Sequence, residues 1–345
     1  MTKSEFKQVL RNAVEKLPMA GAGVVHPEMV DSDGLRAVYE AWLQAGNHDF
    51  LAYLDRSVEQ RSNPFMQRPW ARSALVISFS GDWSNRSAPP SLPSPPQGEP
   101  VGMVSEYAFG PDYHGTGRQI MVRLIREISQ AAGGIGEYEI CIDTAAVPDT
   151  ALAFGAGLGT LGFNHLLRDA VHGSRLFVAT AFLERELPRV AVGAHAAEVT
   201  ASCENCRRCI EQCPNHALRL STGVQLELCR SYLTIEHRGA FTYEQCRLVG
   251  DALFGCDICT AACPPQQDIE GFPVDLDWLL RASAGEVGRA IAGSALAYTG
   301  VSRLRRNAVA ILALQRNKFT AAGELLDFAQ KNSHSPIVNQ TLHNL

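Results

Sequence analysis

Apolar residues recur at helical spacing in the first stretch, MTKSEFKQVLRNAVEKL, with charges spread among them. The chain is therefore expected to open on an amphipathic helix and not on the apolar core of a signal peptide. Residues 1–83 read as mainly helical, apart from one continuous apolar run, ALVISF (74–79), with strand character. APPSLPSPPQGEP (88–100) is too rigid and too poor in N–H donors for a helix or a sheet interior, and reads as a mobile surface excursion, the competing reading being a long surface loop near a site. GRQIMVRLIREISQAAGG restores helical periodicity and ends on a glycine stop. EYEICID (137–143) then reads as a strand ending in Asp143, TALAFGAG as a helix and RLFVATAFL (175–183) as a strand. This mixture predicts an α/β or α+β domain to about residue 195. A cysteine-rich segment follows. Beyond it WLLRASAGEVGRAIAG, SRLRRNAVAILALQRN, TAAGELLDFAQKN and SPIVNQTLHNL read as short amphipathic helices of a small helical-repeat appendage. The expected division is 1–195, 196–270 and 271–345.

Composition adds a globular character and a compartment. Of 345 residues, 46% are hydrophobic and 19% charged, and no window approaches a membrane-spanning apolar run. A cytoplasmic address follows, and there ten cysteines read as metal ligands or catalysts and not as disulfides. The net charge of −5 is uneven: from Gly271 onward eight Lys/Arg face five Asp/Glu, net +3, which leaves −8 on the rest. Clustered arginines such as Arg303, Arg305 and Arg306 point to a polyanionic partner, and the competing reading is a solvated helix surface.

Chemistry is concentrated in CENCRRCIEQCP. Cys203, Cys206, Cys209 and Cys213-Pro214 match the ferredoxin spacing C-x2-C-x2-C-x3-C-P. Cys256, Cys259 and Cys263-Pro264 form a second group, which either Cys229 or Cys246 could complete. In two-cluster ferredoxins the last cysteine of a run serves the other cluster. That rule puts Cys203, Cys206, Cys209 and Cys263 on one [4Fe–4S] cube, and Cys213, Cys256, Cys259 and one more on the other. Structural zinc needs only two C-x2-C pairs and fits seven motif cysteines with two Cys-Pro endings poorly. Cys141, inside a strand, reads as a buried apolar residue. A bare electron carrier needs neither the roughly 190 residues before the clusters nor the 80 after them, so the clusters are expected to feed chemistry elsewhere in the chain. GLGTLG (157–162) has the dinucleotide spacing in the wrong context, and its glycines are expected to serve a close backbone approach or a tight turn.

Four stretches resemble the epoxyqueuosine reductase family of cobalamin-dependent iron–sulfur enzymes. They are GNHDFLAYLDRSVEQRSNPFMQRPWARSALVISF (46–79), YAFGPDYHGTGRQI (107–120), IDTAAVPDTALAFGAGLGTLGFNHLL (142–167), and the cysteine segment with CRSYLTIEHRG (229–239) and FGCDICTAACP (254–264). RRNAVAIL (305–312) and SPIVNQTL (335–342) are similar to its C-terminal helices. The resemblance implies an α+β protein: a nitroreductase-like cobalamin domain, a ferredoxin-like two-cluster domain and HEAT-like helices. It implies Cys229 as the eighth cluster ligand and a base-off cobalamin between the first domain and the second cluster. It also implies reduction of epoxyqueuosine to queuosine at the tRNA wobble position. Asp143 matches the proton donor, a role that requires a carboxyl raised by an apolar pocket; the competing role is a helix N-cap. Arg61, Tyr107, Asp149, Asn164, His237, Cys256 and Asp257 fall at expected cobalamin contacts. The implied partners are the tRNA anticodon stem-loop, met by the basic C-terminal helices, and an electron donor, with the chain a monomer. Pro111 and Phe163 depart from the family pattern, where basic residues are usual. Two alternatives keep the cofactors: a corrinoid iron–sulfur reductase acting on a small molecule, and an electron-transfer or corrinoid-handling protein without its own substrate.

Overall fold

The structure, a computed structural model, describes residues 1–48, 51, 54, 57–80, 90–108, 110–193, 203–221, 223–265 and 271–345. The expected boundaries at 195/196 and 270/271 touch residues outside that set.

The first layers comprise α1 (Lys3–Lys16), β1 (Gly21–Val25), α2 (Ser32–Gln44), α3 (Val58–Ser62), β2 (Ser73–Phe79) and β3 (Val101–Val104), then α4 (Tyr113–Ala132), β4 (Tyr138–Cys141) and α5 (Asp149–Gly155). The short pair β5 (Thr160–Leu161) and β6 (Leu167–Arg168) leads to β7 (Phe177–Leu183) and β8 (Ala191–Val192). Five strands form an antiparallel sheet in the order β4-β7-β2-β1-β8. Strand alternation divides β2 between two cores. Leu75, Ile77 and Phe79 face Phe6 and Leu10 of α1 and Met121 and Leu124 of α4, whereas Ala74 and Val76 face Leu152 and Ala153 of α5. Both faces are covered, so β2 reads as an unbroken apolar run. α4 presents Met121, Leu124, Ile125 and Ile128 at helical spacing and stops at Gly133, whose φ of 70° suits a left-handed cap. β1 was not expected from the sequence. Its glycines carry no side-chain signal, and Gly23 serves an approach in which a Cβ would sit 2.4 Å from the Ala156 carbonyl oxygen.

The cysteine segment holds α6 (Cys203–Cys206), α7 (Arg208–Gln212), the hairpin β9 (Leu218–Arg219) and β10 (Gly223–Val224), α8 (Arg230–Ile235), α9 (Tyr243–Val249), β11 (Ala252–Phe254) and α10 (Ile258–Ala261). After it come β12 (Phe272–Asp275), α11 (Leu276–Arg281), α12 (Ala284–Ile291), α13 (Leu296–Gln315), α14 (Thr320–Asn332) and α15 (Pro336–His343). β3 lies between β11, parallel, and β12, antiparallel, so an early strand is enclosed by late ones. One core runs from Val104 and Phe254 through Leu304 and Ile311 to Val338. The last helices are thus built into the cysteine segment and are no appendage. The described part of the Pro-rich stretch is pinned as well: Leu92 is buried, Ser91 N donates to Ala290 O (2.9 Å), and Pro93 O accepts from Asp275 N (2.9 Å). Residues 88 and 89 of that stretch lie outside the described set.

The basic C-terminal surface expected from Arg303, Arg305 and Arg306 is not what these residues form. Arg306 is fully buried, and all three guanidinium groups donate to main-chain carbonyls, as with Arg305 Nε to Leu279 O (3.0 Å) and Arg303 Nη1 to Ile235 O (2.6 Å). Charge counting treats every arginine as solvated, whereas unpaired helix-end carbonyls here take up these donors. Among the described residues no helix is long and apolar enough to cross a membrane.

Candidate active site

A cleft of about 400 Å³ opens between the sheet and the cysteine segment. Tyr107, Tyr113, Asp143, Asp149 and Asn164 line one wall; Cys229, Cys256, Asp257 and Cys259 line the other. Tyr113 stacks between His114 (ring centroids 4.1 Å apart) and Phe177 (4.2 Å), with Tyr107 edge-on at 6.2 Å. This aromatic floor fixes the polar groups that project above it.

Asp143 follows β4 in a left-handed conformation, φ 56°. Its Oδ2 accepts from Tyr113 Oη at 2.6 Å and lies 3.6 Å from His114 Nε2. His114 is held from behind: Asp112, the N-cap of α4, accepts from the His114 backbone N–H (2.9 Å) and lies 2.7 Å from its Nδ1. With Nδ1 committed to Asp112, Nε2 is the nitrogen that can share a proton with Asp143. The expectation of a raised Asp143 carboxyl is overturned. His114 holds it below the usual carboxylate range, against the effect of burial and with help from Tyr113. Its side chain is 65% exposed towards the cleft. His114 is correspondingly raised, chiefly by Asp143. The N-cap alternative also fails, because Pro148 occupies that position for α5. Burial raises two carboxyls of the cleft, Asp257 and Asp149; Asp149 is pushed up to about 8 with the Asp143 charge as the second cause, and its buried Oδ1 has no hydrogen-bond partner.

The other expected contacts divide. Asp257 ties the second cysteine group to the first wall, accepting from Ser105 Oγ and from Glu106 N (2.7 Å). Asn164, buried, donates to Ser174 Oγ (2.9 Å) and to Cys259 O (3.4 Å). Arg61 is outside the lining, donates from Nε to Ser57 Oγ (3.0 Å), and still lowers both Asp143 and Asp149 by its charge. His237 is placed elsewhere. It is buried, stacks on Phe241 (5.5 Å), and its carbonyl accepts from Arg306, so it belongs to the α8–α13 core and does not line the cleft. Tyr113, His114 and Arg175, which pairs with Glu106 at 2.6 Å, were not singled out from the sequence. The Asp-Tyr-His triplet at a helix start was the available signal for the first two.

The cysteines form two sets. Cys203, Cys206, Cys209 and Cys263 surround one small interior space, beside Arg168, whose Nη1 lies 3.3 Å from Cys203 Sγ. Phe163 lines this space and not the cleft. Cys229, Cys256 and Cys259 face the cleft, and the charge of Cys213 acts on Cys229. Cys246, on α9, is fully buried in the hydrophobic core and lines neither space. Burial pushes Cys209 and Cys256 up to about 11, and Cys259 further, with neighbouring thiols adding to each. Thiols held neutral by burial become thiolates only with positive charge among them, which suits iron–sulfur cubes as the occupants. Cys141 is buried as expected, its thiol pushed up to about 12, although it also lies between Arg68 and Glu139. The glycine run serves backbone approach: a Cβ on Gly159 would meet Arg168 O at 2.4 Å.

Residues 61–144 match the family model described as epoxyqueuosine reductase QueG, DUF1730, and residues 202–266 match the 4Fe-4S double cluster binding domain. The epoxyqueuosine reductase of Burkholderia pseudomallei is 30% identical over 319 residues, 83% of this chain and 76% of the relative. The chain belongs to the epoxyqueuosine reductase family. The epoxyqueuosine reductases of Xanthomonas campestris pv. campestris and Pseudomonas aeruginosa are 31% and 32% identical, each match spanning 65% of this chain and about 60% of the relative's length. The solved epoxyqueuosine reductase from Streptococcus thermophilus shares the fold at a TM-score of 0.77 and 23% identity, over 98% of this chain and 88% of that one. A solved epoxyqueuosine reductase with an epoxyqueuosine-modified tRNA-Tyr stem loop gives a TM-score of 0.77 at 21% identity, over the same shares. In this family member, the mixed α+β fold brings a 4Fe-4S double-cluster segment against a cleft with an aromatic floor and a few polar groups.

Proposed function

We propose that the chain reduces epoxyqueuosine to queuosine at the wobble position of tRNA, using cobalamin supplied with electrons by two [4Fe–4S] clusters. The observation that carries this reading is one cleft with Asp143 and Tyr113 on one wall, His114 in contact with Asp143, and Cys229, Cys256 and Cys259 on the other. In this reading residues 1–195 form a nitroreductase-like cobalamin domain, 196–270 a ferredoxin-like domain and 271–345 HEAT-like helices. Cys203, Cys206, Cys209 and Cys263 ligate the first cluster, and Cys213, Cys229, Cys256 and Cys259 the second. The chain acts as a cytoplasmic monomer on the anticodon stem-loop, with a separate electron donor.

Cobalamin suits the cleft by its open mouth, its aromatic floor and the unpartnered buried Oδ1 of Asp149, which a polar corrin side group can meet. Tyr107, Asn164, Cys256 and Asp257 would hold it, with Arg61 acting at longer range. When bound it supplies a low-valent cobalt centre that no side chain can replace. The remaining work is proton supply. Converting an epoxide to an alkene takes two electrons and two protons and releases water, and the ring oxygen leaves only if protonated. Asp143 is the group that hands over the proton, drawn from His114 across their 3.6 Å contact, while Tyr113 holds the carboxylate in place. Asp149, neutral at pH 7, holds a second proton beside it.

The test is anaerobic reconstitution with iron, sulfide and cobalamin, incubation with epoxyqueuosine-bearing tRNA, and nucleoside analysis. Queuosine should accumulate with the parent protein, and Asp143→Asn should retain clusters and corrin without turnover. No queuosine from protein carrying every cofactor would overturn the reading.

A further inference from the structure

The fold explains Arg306 and Asn307 poorly if they only fill a core. Both are fully buried, in a region otherwise made of Leu233, Phe241, Leu253 and Leu304. A buried guanidinium is costly unless every donor finds an acceptor. Arg306 meets that demand with oxygens at the far end of α8. Its Nη1 donates to His237 O (2.6 Å) and Gly239 O (2.7 Å), its Nη2 to Leu233 O (3.0 Å), and Nε and Nη2 share Asn307 Oδ1. Asn307 Nδ2 donates to Thr234 O (2.8 Å), and Arg303 Nη1 to Ile235 O (2.6 Å). Three successive carbonyls of α8, from Leu233 to Ile235, are thus taken up by three side chains of α13. A helix this short has few internal acceptors of its own, so its direction is set by what grips its end.

The near end of α8 is Cys229, its N-cap residue. Asn307 also reaches the segment that leads to Cys256, because Nδ2 donates to Leu253 O of β11 (2.9 Å). Thr234 Oγ1 accepts from Gly255 N (3.0 Å), the residue before Cys256. One amide and one hydroxyl therefore join the segment that carries Cys229 to the segment that carries Cys256.

We propose that Arg303, Arg306 and Asn307 are positioning residues for the second cluster, fixing the separation of Cys229 from Cys256. The C-terminal helices are then part of the cluster's frame. This inference rests on the cysteines holding two clusters and not on the identity of the substrate, so its test reads iron and spectra and no turnover.

Asn307→Ala in the full chain, reconstituted anaerobically with iron and sulfide, is compared with the parent by iron and sulfide content, electron paramagnetic resonance of the reduced protein, and a redox titration. Iron should fall from about eight towards about four per chain, with the first cluster's signal retained and the second's lost or shifted. Val338→Ala, in the same core but outside this hydrogen-bonded set, should lower stability and leave both signals as in the parent. Full iron and parental potentials in Asn307→Ala, or the same selective loss in Val338→Ala, would overturn the proposal. If Asn307→Ala does not accumulate as folded protein, Arg303→Ala removes the bond to Ile235 O from a partly exposed position. It should shift the second cluster's potential alone, and an unchanged potential there would be equally fatal.

Discussion

His114 Nε2 lies 3.6 Å from Asp143 Oδ2, and each residue moves the other's titration in the direction that preserves the pair. Asp143 is lowered, so its contribution to stability is present above the unfolded carboxylate value of about 3.9 and is lost as pH falls through the lower folded value. His114 is raised, so its contribution is complete below the unfolded value of about 6.5 and is lost as pH rises through the higher folded one. The charged pair is therefore complete in the acidic-to-neutral window between those limits. Turnover should decline on the alkaline side, as pH rises through the raised folded value and the imidazolium loses its proton. His114→Phe should remove that alkaline limb and slow turnover by about 10²-fold or more, the ordinary worth of a positioned acid. A pH–rate profile of both proteins under anaerobic conditions checks this, and an unchanged limb in the variant would exclude His114 as the source of the proton.

Asp149 has the opposite sign. Its folded value, about 8, lies above the unfolded one, so the native state retains a proton that the unfolded chain has lost between about pH 4 and 8. Stability should fall with rising pH across that interval. Asp149→Asn, which keeps the shape and abolishes the titration, should flatten the slope and melt at higher temperature than the parent at pH 8. Urea denaturation at pH 5 and pH 8 measures both slopes. A variant with the parental slope would show that the carboxyl does not stay neutral.

Cys229 and Cys246 were equivalent candidates by spacing, and the fold separates them. Cys229→Ser should lose about half the iron of the reconstituted protein, because the serine oxygen replaces a sulfur that shares one wall of the cleft with Cys256 and Cys259. Cys246→Ala should keep all of it and cost only the packing of one small buried side chain in α9, on the order of 1 kcal/mol. Iron assay with thermal melting distinguishes the two. Iron loss in Cys246→Ala would reverse the assignment.

What was legible in the chain follows from where each element finds its partners. β2 and β7 declare themselves because both are buried almost throughout, so their apolar runs are unbroken. β1 and β3 do not, since GAGVV carries little side-chain signal and VGMV exists by pairing with strands some 150 residues later. The cysteine spacing is legible because a metal cluster demands local geometry. Asp143 entered through the resemblance, but its electrostatic state did not, because that depends on His114 and Tyr113, thirty residues upstream. Arg306 was misread for a related reason: nothing in SRLRRNAVAIL tells that α8 ends against it with its carbonyls unmet.

The sheet comes close to the helix that starts at Asp149 at Gly23, where a Cβ would lie 2.4 Å from Ala156 O and 3.1 Å from Ala156 Cβ. Backbone cannot give way as a flexible side chain can, so Gly23→Ala must push α5 off the sheet. Overpacking of this kind costs about 1–3 kcal/mol, and because α5 carries Asp149 into the cleft, turnover should fall along with stability. Gly155→Ala, in the same helix, is the matched control. Its Cβ would meet only Val25 Cγ2 at 3.9 Å, and the position has an ordinary helical backbone, so alanine there should be neutral or stabilising by up to about 1 kcal/mol. Urea denaturation of the two variants against the parent reads the difference. Equal stabilities would mean that β1 and α5 are not in backbone contact, and the route by which the sheet positions Asp149 would have to be sought elsewhere.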